Sequence, residues 1–150
     1  MKKQDEEVPI DIQGGIDQVG ESAMFVNMME NFENMTLSKN LMGLKMAIDS
    51  EDWVGVRDEA HSLKGASSYL CTYNLTNLAK EIQLATEKKD YSTVMKLYPK
   101  LIEESIKIKL FIKKYLCELH STYYQKKNSF IKKKILKFQF QINLLSKIRK

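Results

Sequence analysis

Along most of this chain apolar residues return at intervals of three and four, and no other feature constrains the fold so tightly. The clearest run is Trp53, Val56, Ala60, Leu63, Ser67 and Leu70, which at about 100° per residue stays on one face of a helix. Others are Phe25, Met28, Met29 and Phe32; Leu37, Leu41, Leu44 and Ile48; Leu75, Leu78, Ile82 and Ala85; and Val94, Leu97, Leu101, Ile108 and Ile112. With only six Gly and two Pro in 150 residues, the chain lacks the turn chemistry of a β fold, so the expected class is all-α. Short connections make neighbouring helices antiparallel, which predicts an up-and-down four-helix bundle with a short N-terminal cover helix and a basic C-terminal extension.

The boundaries follow from caps and breakers. Residues 1–8 are charged and non-periodic, and read as a flexible tail. From Pro9 to Gly20 the residues Ile10, Ile12, Ile16 and Val19 are interrupted by Gly14-Gly15, giving either a short helix or an irregular cover segment. Ser22 can cap the next helix, Thr36 or Ser38 the one after, and Asp49 or Ser50 the helix of the Trp53 run, with Glu51 and Asp52 suiting its positive end. Gly43 inside the second of these costs roughly 1 kcal/mol relative to Ala. A further helix begins near Thr72 or Asn74, Lys88-Lys89-Asp90 reads as a connection, and Pro99 either opens or bends the last helix. The bundle is expected over residues 9–117.

Charge is unevenly spread. Residues 118–150 hold eight Lys and one Arg against one Glu, net +8, whereas residues 1–117 hold 15 basic and 18 acidic groups, net −3. The basic character belongs to the extension, which weakens any nucleic-acid reading drawn from the overall charge of +5. There Ile131, Ile135, Phe138, Ile142 and Leu145 recur at helical spacing opposite lysines. Three readings remain open: a solvated, partly disordered tail, a helix docking on the bundle or a partner, and a membrane-surface helix. Cys71 and Cys117 form no disulfide framework and fit a reducing compartment. Cys117 and His120 lack a second pair of ligands, so no metal site is expected. The N-terminus turns acidic at Asp5-Glu6-Glu7, where a signal peptide would turn apolar, and no run reaches about 18 uncharged apolar residues. A cytoplasmic protein is expected, with the nucleus a further possibility.

The stretch with chemistry in it is Ala60-His61-Ser62-Leu63-Lys64-Gly65-Ala66-Ser67-Ser68. Residues three and four apart on a helix are surface neighbours, so His61, Lys64 and Gly65 share a patch. The line Arg57, His61, Lys64, Gly65, Ser68 lies roughly 120° from the apolar stripe, which turns the imidazole away from the core. An imidazole is largely uncharged at cellular pH and already nucleophilic, and can attack a phosphoryl group directly. The charge so acquired can be offset by Lys64. Gly65 leaves space beside the ring, although glycine costs roughly 0.5–1 kcal/mol in a helix interior. Small neighbours keep the surface low, which suits another protein better than a small molecule.

This stretch resembles the signature of the histidine-containing phosphotransfer (HPt) domain of multistep His-Asp phosphorelays, Ala-His-x-Leu-Lys-Gly followed by small residues. The resemblance covers roughly residues 10–117. It implies that His61 is the phospho-acceptor, Lys64 the stabilising cation and Gly65 the residue giving access. Gln83 falls where some members carry a glutamine near the imidazole; it either orients the ring or is a plain surface residue. Arg57 and Ser68, on the same face, would contact the docked partner. The family usually has Gly after the leucine that closes the helix, whereas Leu70 is followed by Cys71-Thr72, which puts that turn's geometry in question.

The resemblance further implies a stoichiometric phosphoryl carrier, not an enzyme. It would take the group from a receiver-domain aspartyl phosphate and pass it to another receiver aspartate. The partners implied are receiver domains of hybrid histidine kinases and response regulators. The chain itself would need no cofactor, magnesium belonging to the receiver, and no Gly-rich nucleotide loop or kinase signature is present. A freestanding monomer is expected. The rival reading is a non-catalytic helical interaction module whose basic tail binds anionic lipid or nucleic acid. A hydrolase fails for want of partner groups: Asp58 is the only nearby acid, and it either orients the imidazole or is a solvated surface charge.

Overall fold

The computed structural model describes residues 8–148, with side chains through residue 137. Residues 1–7 of the expected tail, and the side chains of Phe138, Ile142 and Leu145, lie outside the described residues. Every regular element among those described is helical: α1 (Ile12–Val19), α2 (Ser22–Asn31), a π-helical turn (Phe32–Thr36), α3 (Leu37–Asp49), α4 (Trp53–Tyr69), α5 (Tyr73–Glu87) and α6 (Tyr91–Ile148). The chain divides into two compact units, the first ending at Lys113 and the second beginning at Lys114.

In the first unit α4 packs against α3 on one side and α5 on the other. The helices are held together by fully buried apolar side chains, among them Phe25, Met29, Leu44, Val56, Leu63, Ile82 and Leu101. Burying one such side chain contributes about 1.5–3 kcal/mol. Glycine at position 15 is part of this packing. A methyl group there would collide with the Phe25 ring, so the Gly14-Gly15 pair that interrupts the apolar pattern is what lets α1 lie on α2. The polar groups inside are matched. Glu33 lies 3.8 Å from Lys109 and 3.7 Å from Lys113 of α6, and no buried side-chain nitrogen or oxygen among the described residues lacks a partner.

Several helix limits differ from the sequence expectation. Neither Thr36 nor Ser38 starts a new helix: the backbone stays helical from Ser22 to Asp49, through the π turn. A π turn takes up one more residue than an α turn, so the inward position after Phe32 is Leu37 rather than Thr36. From there Asn40, Leu44, Ala47 and Ile48 are the buried residues. Ser22 is the first residue of α2, whose N-cap is Glu21 without a side-chain bond. Asp49 and Ser50 close α3 instead of opening α4. The Ser50 hydroxyl donates back to the Met46 carbonyl at 2.8 Å, and Asp49 pairs with Lys45. The cap of α4 is Asp52, whose carboxylate accepts from the Gly55 amide at 3.0 Å.

Three connections are closed by a non-glycine residue in the left-handed region, Glu51 (φ 55°), Cys71 (φ 53°) and Lys89 (φ 58°). Cys71 therefore adopts the backbone conformation for which glycine is the default, and its buried thiol lies 3.5 Å from Gln18 Oε1. The turn departs from the family pattern in residue type while keeping a left-handed backbone. Pro99 sits inside α6 and does not open it.

The second unit consists of the remainder of α6, and residues 117–137 are all exposed. No helix among the described residues is long and apolar enough to cross a membrane.

Candidate functional site

His61 occupies the middle of α4 with its side chain exposed. The alternation of Val56, Ala60, Leu63 and Ser67 buries the opposite side of the helix, so the imidazole has no route into the core. Because α5 packs beside α4, Gln83 reaches across, and its Oε1 lies 3.3 Å from His61 Nδ1. The same oxygen accepts from Lys64 Nζ at 3.0 Å, while Gln83 Nε2 donates to Glu87 Oε1 at 2.8 Å.

These contacts fix two assignments that geometry alone leaves open. An ammonium only donates and a carboxylate only accepts, so Lys64 and Glu87 admit one orientation of the Gln83 amide, oxygen towards α4. An amide oxygen only accepts, so a hydrogen bond across this contact takes its proton from His61 Nδ1. In the neutral ring the other nitrogen, Nε2, then carries the free lone pair.

The turn bearing His61 is also held from α3. Asn40, 5% exposed, donates from Nδ2 to Glu59 Oε2 and to Ser62 Oγ, each at 3.0 Å. Further along, the Ser67 and Thr76 hydroxyls are 2.9 Å apart and Thr72 Oγ1 donates to the Ser67 carbonyl at 2.8 Å, tying the end of α4 to the start of α5. An exposed histidine thus sits on a helix clamped on both sides.

Gly65 stands in open space: a Cβ at this position would meet no atom within 4 Å. Gly15, Gly43 and Gly55 differ, since each would bring a Cβ against Phe25, Glu59 or Asp52. No internal packing calls for glycine at position 65. Arg57 and Ser68 are exposed on either side. Arg57 is bonded to Asp58, with Nη2 donating to Oδ1 at 2.7 Å, so this carboxylate is engaged by the guanidinium rather than by the imidazole. A cleft of about 580 Å³ beside α3 and α4, lined by residues including Gly43, Asp52, Gly55 and Glu59, excludes His61.

The sequence reading placed His61, Lys64, Gly65 and Gln83 together, and the structure brings all four to one patch. It missed Glu87 and Asn40. Glu87 lies at i+4 from Gln83, a spacing that pairs side chains on a helix; Asn40, a polar residue at an inward position, was legible only once the π turn had set the phase.

The chain was compared with known proteins. No curated protein sequence matches it. Among solved structures, histidine-containing phosphotransfer protein B from Pseudomonas aeruginosa PAO1 superposes with a TM-score of 0.64 at 19% identity, covering 71% of this chain and 93% of that one. At that identity the likeness is one of fold. The family model of the Hpt domain matches residues 24–109, a span that holds the clamped helix, His61 and Gln83, and by that match the chain belongs to the Hpt domain family.

Proposed function

We propose that this protein is a phosphorelay intermediate that carries a phosphoryl group on His61 Nε2 between receiver domains. The observation that carries the reading is the Gln83 oxygen, which Lys64 and Glu87 hold towards His61 Nδ1 and which favours Nε2 as the nitrogen with the free lone pair. A receiver domain docks over the face of Arg57, His61, Gly65 and Ser68, bringing its aspartyl phosphate in line with Nε2. The Nε2 lone pair forms the N–P bond as the P–O bond to the aspartate breaks, and the carboxylate leaves with that electron pair. The Nδ1 proton stays on the ring, bonded to Gln83. Lys64, already within reach, sets its charge against the transferred phosphoryl oxygens. Return transfer to another receiver aspartate is the same step reversed, which makes the protein a stoichiometric carrier.

The magnesium of this chemistry belongs to the receiver, and this chain supplies the nucleophile, the cation and an open approach. The helices of the first unit serve as a rigid antiparallel bundle presenting that face, and the chain works as a monomer. The test is phosphotransfer from a phosphorylated receiver to the wild-type chain and to His61→Gln. Acid-labile, base-stable label on the wild type and none on the variant is expected. Full labelling of the variant would refute the proposal.

A further inference from the structure

The extension is a helix whose apolar side chains have no cover. Residues 117–137 are exposed throughout, and they include Tyr123, Tyr124, Phe130, Ile131, Ile135 and Leu136, from 43% to 69% exposed. A solvated helix of this length gains little from propensity alone and is stabilised when an apolar face is buried. Aliphatic and aromatic groups at this density call for an occupant.

Charge selects that occupant. Between Lys126 and Lys137 there are six lysines and no acid, so a second copy would set lysine against lysine around the same residues, which is unfavourable. The counterpart is anionic. It must also accept branched aliphatic chains, which have nothing to gain from a phosphodiester backbone, where contacts are ionic, hydrogen-bonded or stacked. Successive residues turn about 100°, so Tyr124, Ile131 and Ile135 fall on one stripe, while Phe130 and Tyr123 lie about 100–120° from it among the lysines and Leu136 about 120° away on the other side. That interleaving fits an interface in which lysine stems lie along apolar surface with their ammonium groups turned outward. Lys134 already lies over the Phe130 ring, its Nζ 4.9 Å from the centroid. Aromatic residues favour the same depth, between hydrocarbon and headgroups.

We infer that the helix over residues 118–137 is a membrane-surface anchor that lies in the interface of an anionic bilayer, its apolar stripe in the acyl boundary and its lysines on phosphate headgroups. It is too charged to span. The inference stands apart from the phosphotransfer chemistry, since it uses no residue of the His61 face, and it gives the charge-segregated extension a purpose.

The test is co-sedimentation of the full chain with vesicles of phosphatidylcholine alone and of phosphatidylcholine with about a third phosphatidylserine. Three variants are compared with the wild type: Ile131→Glu with Ile135→Glu, Lys132→Gln with Lys133→Gln and Lys134→Gln, and His61→Gln. Expected are binding to the anionic vesicles that weakens with salt, little binding to the neutral ones, and a loss of about tenfold or more in each of the first two variants. His61→Gln should bind like the wild type. Absence of binding to anionic vesicles at low salt overturns the inference. So does binding that survives Ile131→Glu with Ile135→Glu, because purely ionic attachment leaves the apolar stripe unused. A gel shift of duplex DNA without vesicle binding overturns it equally, pointing to nucleic acid instead. All sites are exposed, so unchanged circular dichroism and thermal midpoint are expected and separate loss of binding from loss of fold.

Discussion

Lys64 on α4 donates to Gln83 on α5 at 3.0 Å, so the cation one turn from His61 is held in place by the neighbouring helix. A lysine left free would sample many rotamers, and ordering it costs up to about 2 kcal/mol. The glutamine removes part of that cost in advance.

Replacing Gln83 with Ala therefore acts twice, releasing Lys64 and removing the acceptor that keeps the proton on Nδ1. Gln83→Ala is expected to slow transfer from a phosphorylated receiver by about tenfold, in line with the loss of one charge-assisted hydrogen bond. Stopped-flow or quench-flow labelling measures the rate. The thermal midpoint should hardly move, since the residue is only half-buried and surface changes usually stay within about 0.5 kcal/mol. A wild-type rate would show that Gln83 positions nothing.

Gly65 should reveal a conflict between stability and function. Since a Cβ meets nothing within 4 Å, Gly65→Ala is expected to stabilise the fold by about 0.5–1 kcal/mol, measured by urea unfolding. Gly65→Gln, which places a long side chain beside the imidazole, should lower the transfer rate sharply while leaving the protein folded. Destabilisation by alanine would mean that the glycine has a structural duty after all.

Gly15 predicts the opposite sign. There the added methyl would meet the Phe25 ring, a fully buried side chain, and overpacking a filled core costs about 1–3 kcal/mol. Chemical denaturation of Gly15→Ala should show a lower midpoint with an unchanged slope.

Acid should weaken the start of α6. The Thr93 hydroxyl donates to the Asp90 carboxylate at 2.6 Å and the Thr93 amide donates at 3.1 Å, and together they hold this carboxyl below the usual carboxylate range. A carboxyl depressed in the folded state contributes stability that is fully present above its unfolded pKa and is lost as pH falls through the folded one. Asp90→Ala should accordingly be less stable than the parent at neutral pH. The gap should narrow as the pH drops below about 4. Thermal melts of both proteins across that range measure it, and a gap that widened on acidification would contradict the assignment.

The helical class and the placement of the α4 side chains were legible because both depend on local spacing. Val56, Ala60, Leu63 and Ser67 mark the inner face within one helix, and His61, Lys64 and Gly65 follow from them by rotation. What stayed hidden depends on where the chain is held from elsewhere. Nothing local distinguishes Thr36 as a helix start from Thr36 inside a π turn, and the choice is made by whether Leu37 or Thr36 faces the core. Asp49, Ser50 and Asp52 are all competent caps, and the choice fell to Asp52 once Ser50 bonded back to Met46. Gln83 was recognisable as a candidate from family likeness, while its orientation needed Glu87.

Trp53 is the chain's single tryptophan, and its indole lies flat on Tyr91, with ring centroids 4.0 Å apart and planes 9° from parallel. These are the first residues of α4 and α6, so the stack joins the beginnings of two helices about two turns from His61. Excited selectively beside the seven tyrosines, this tryptophan is a built-in optical gauge of whether the foundation of the histidine helix stays seated, without any label being attached.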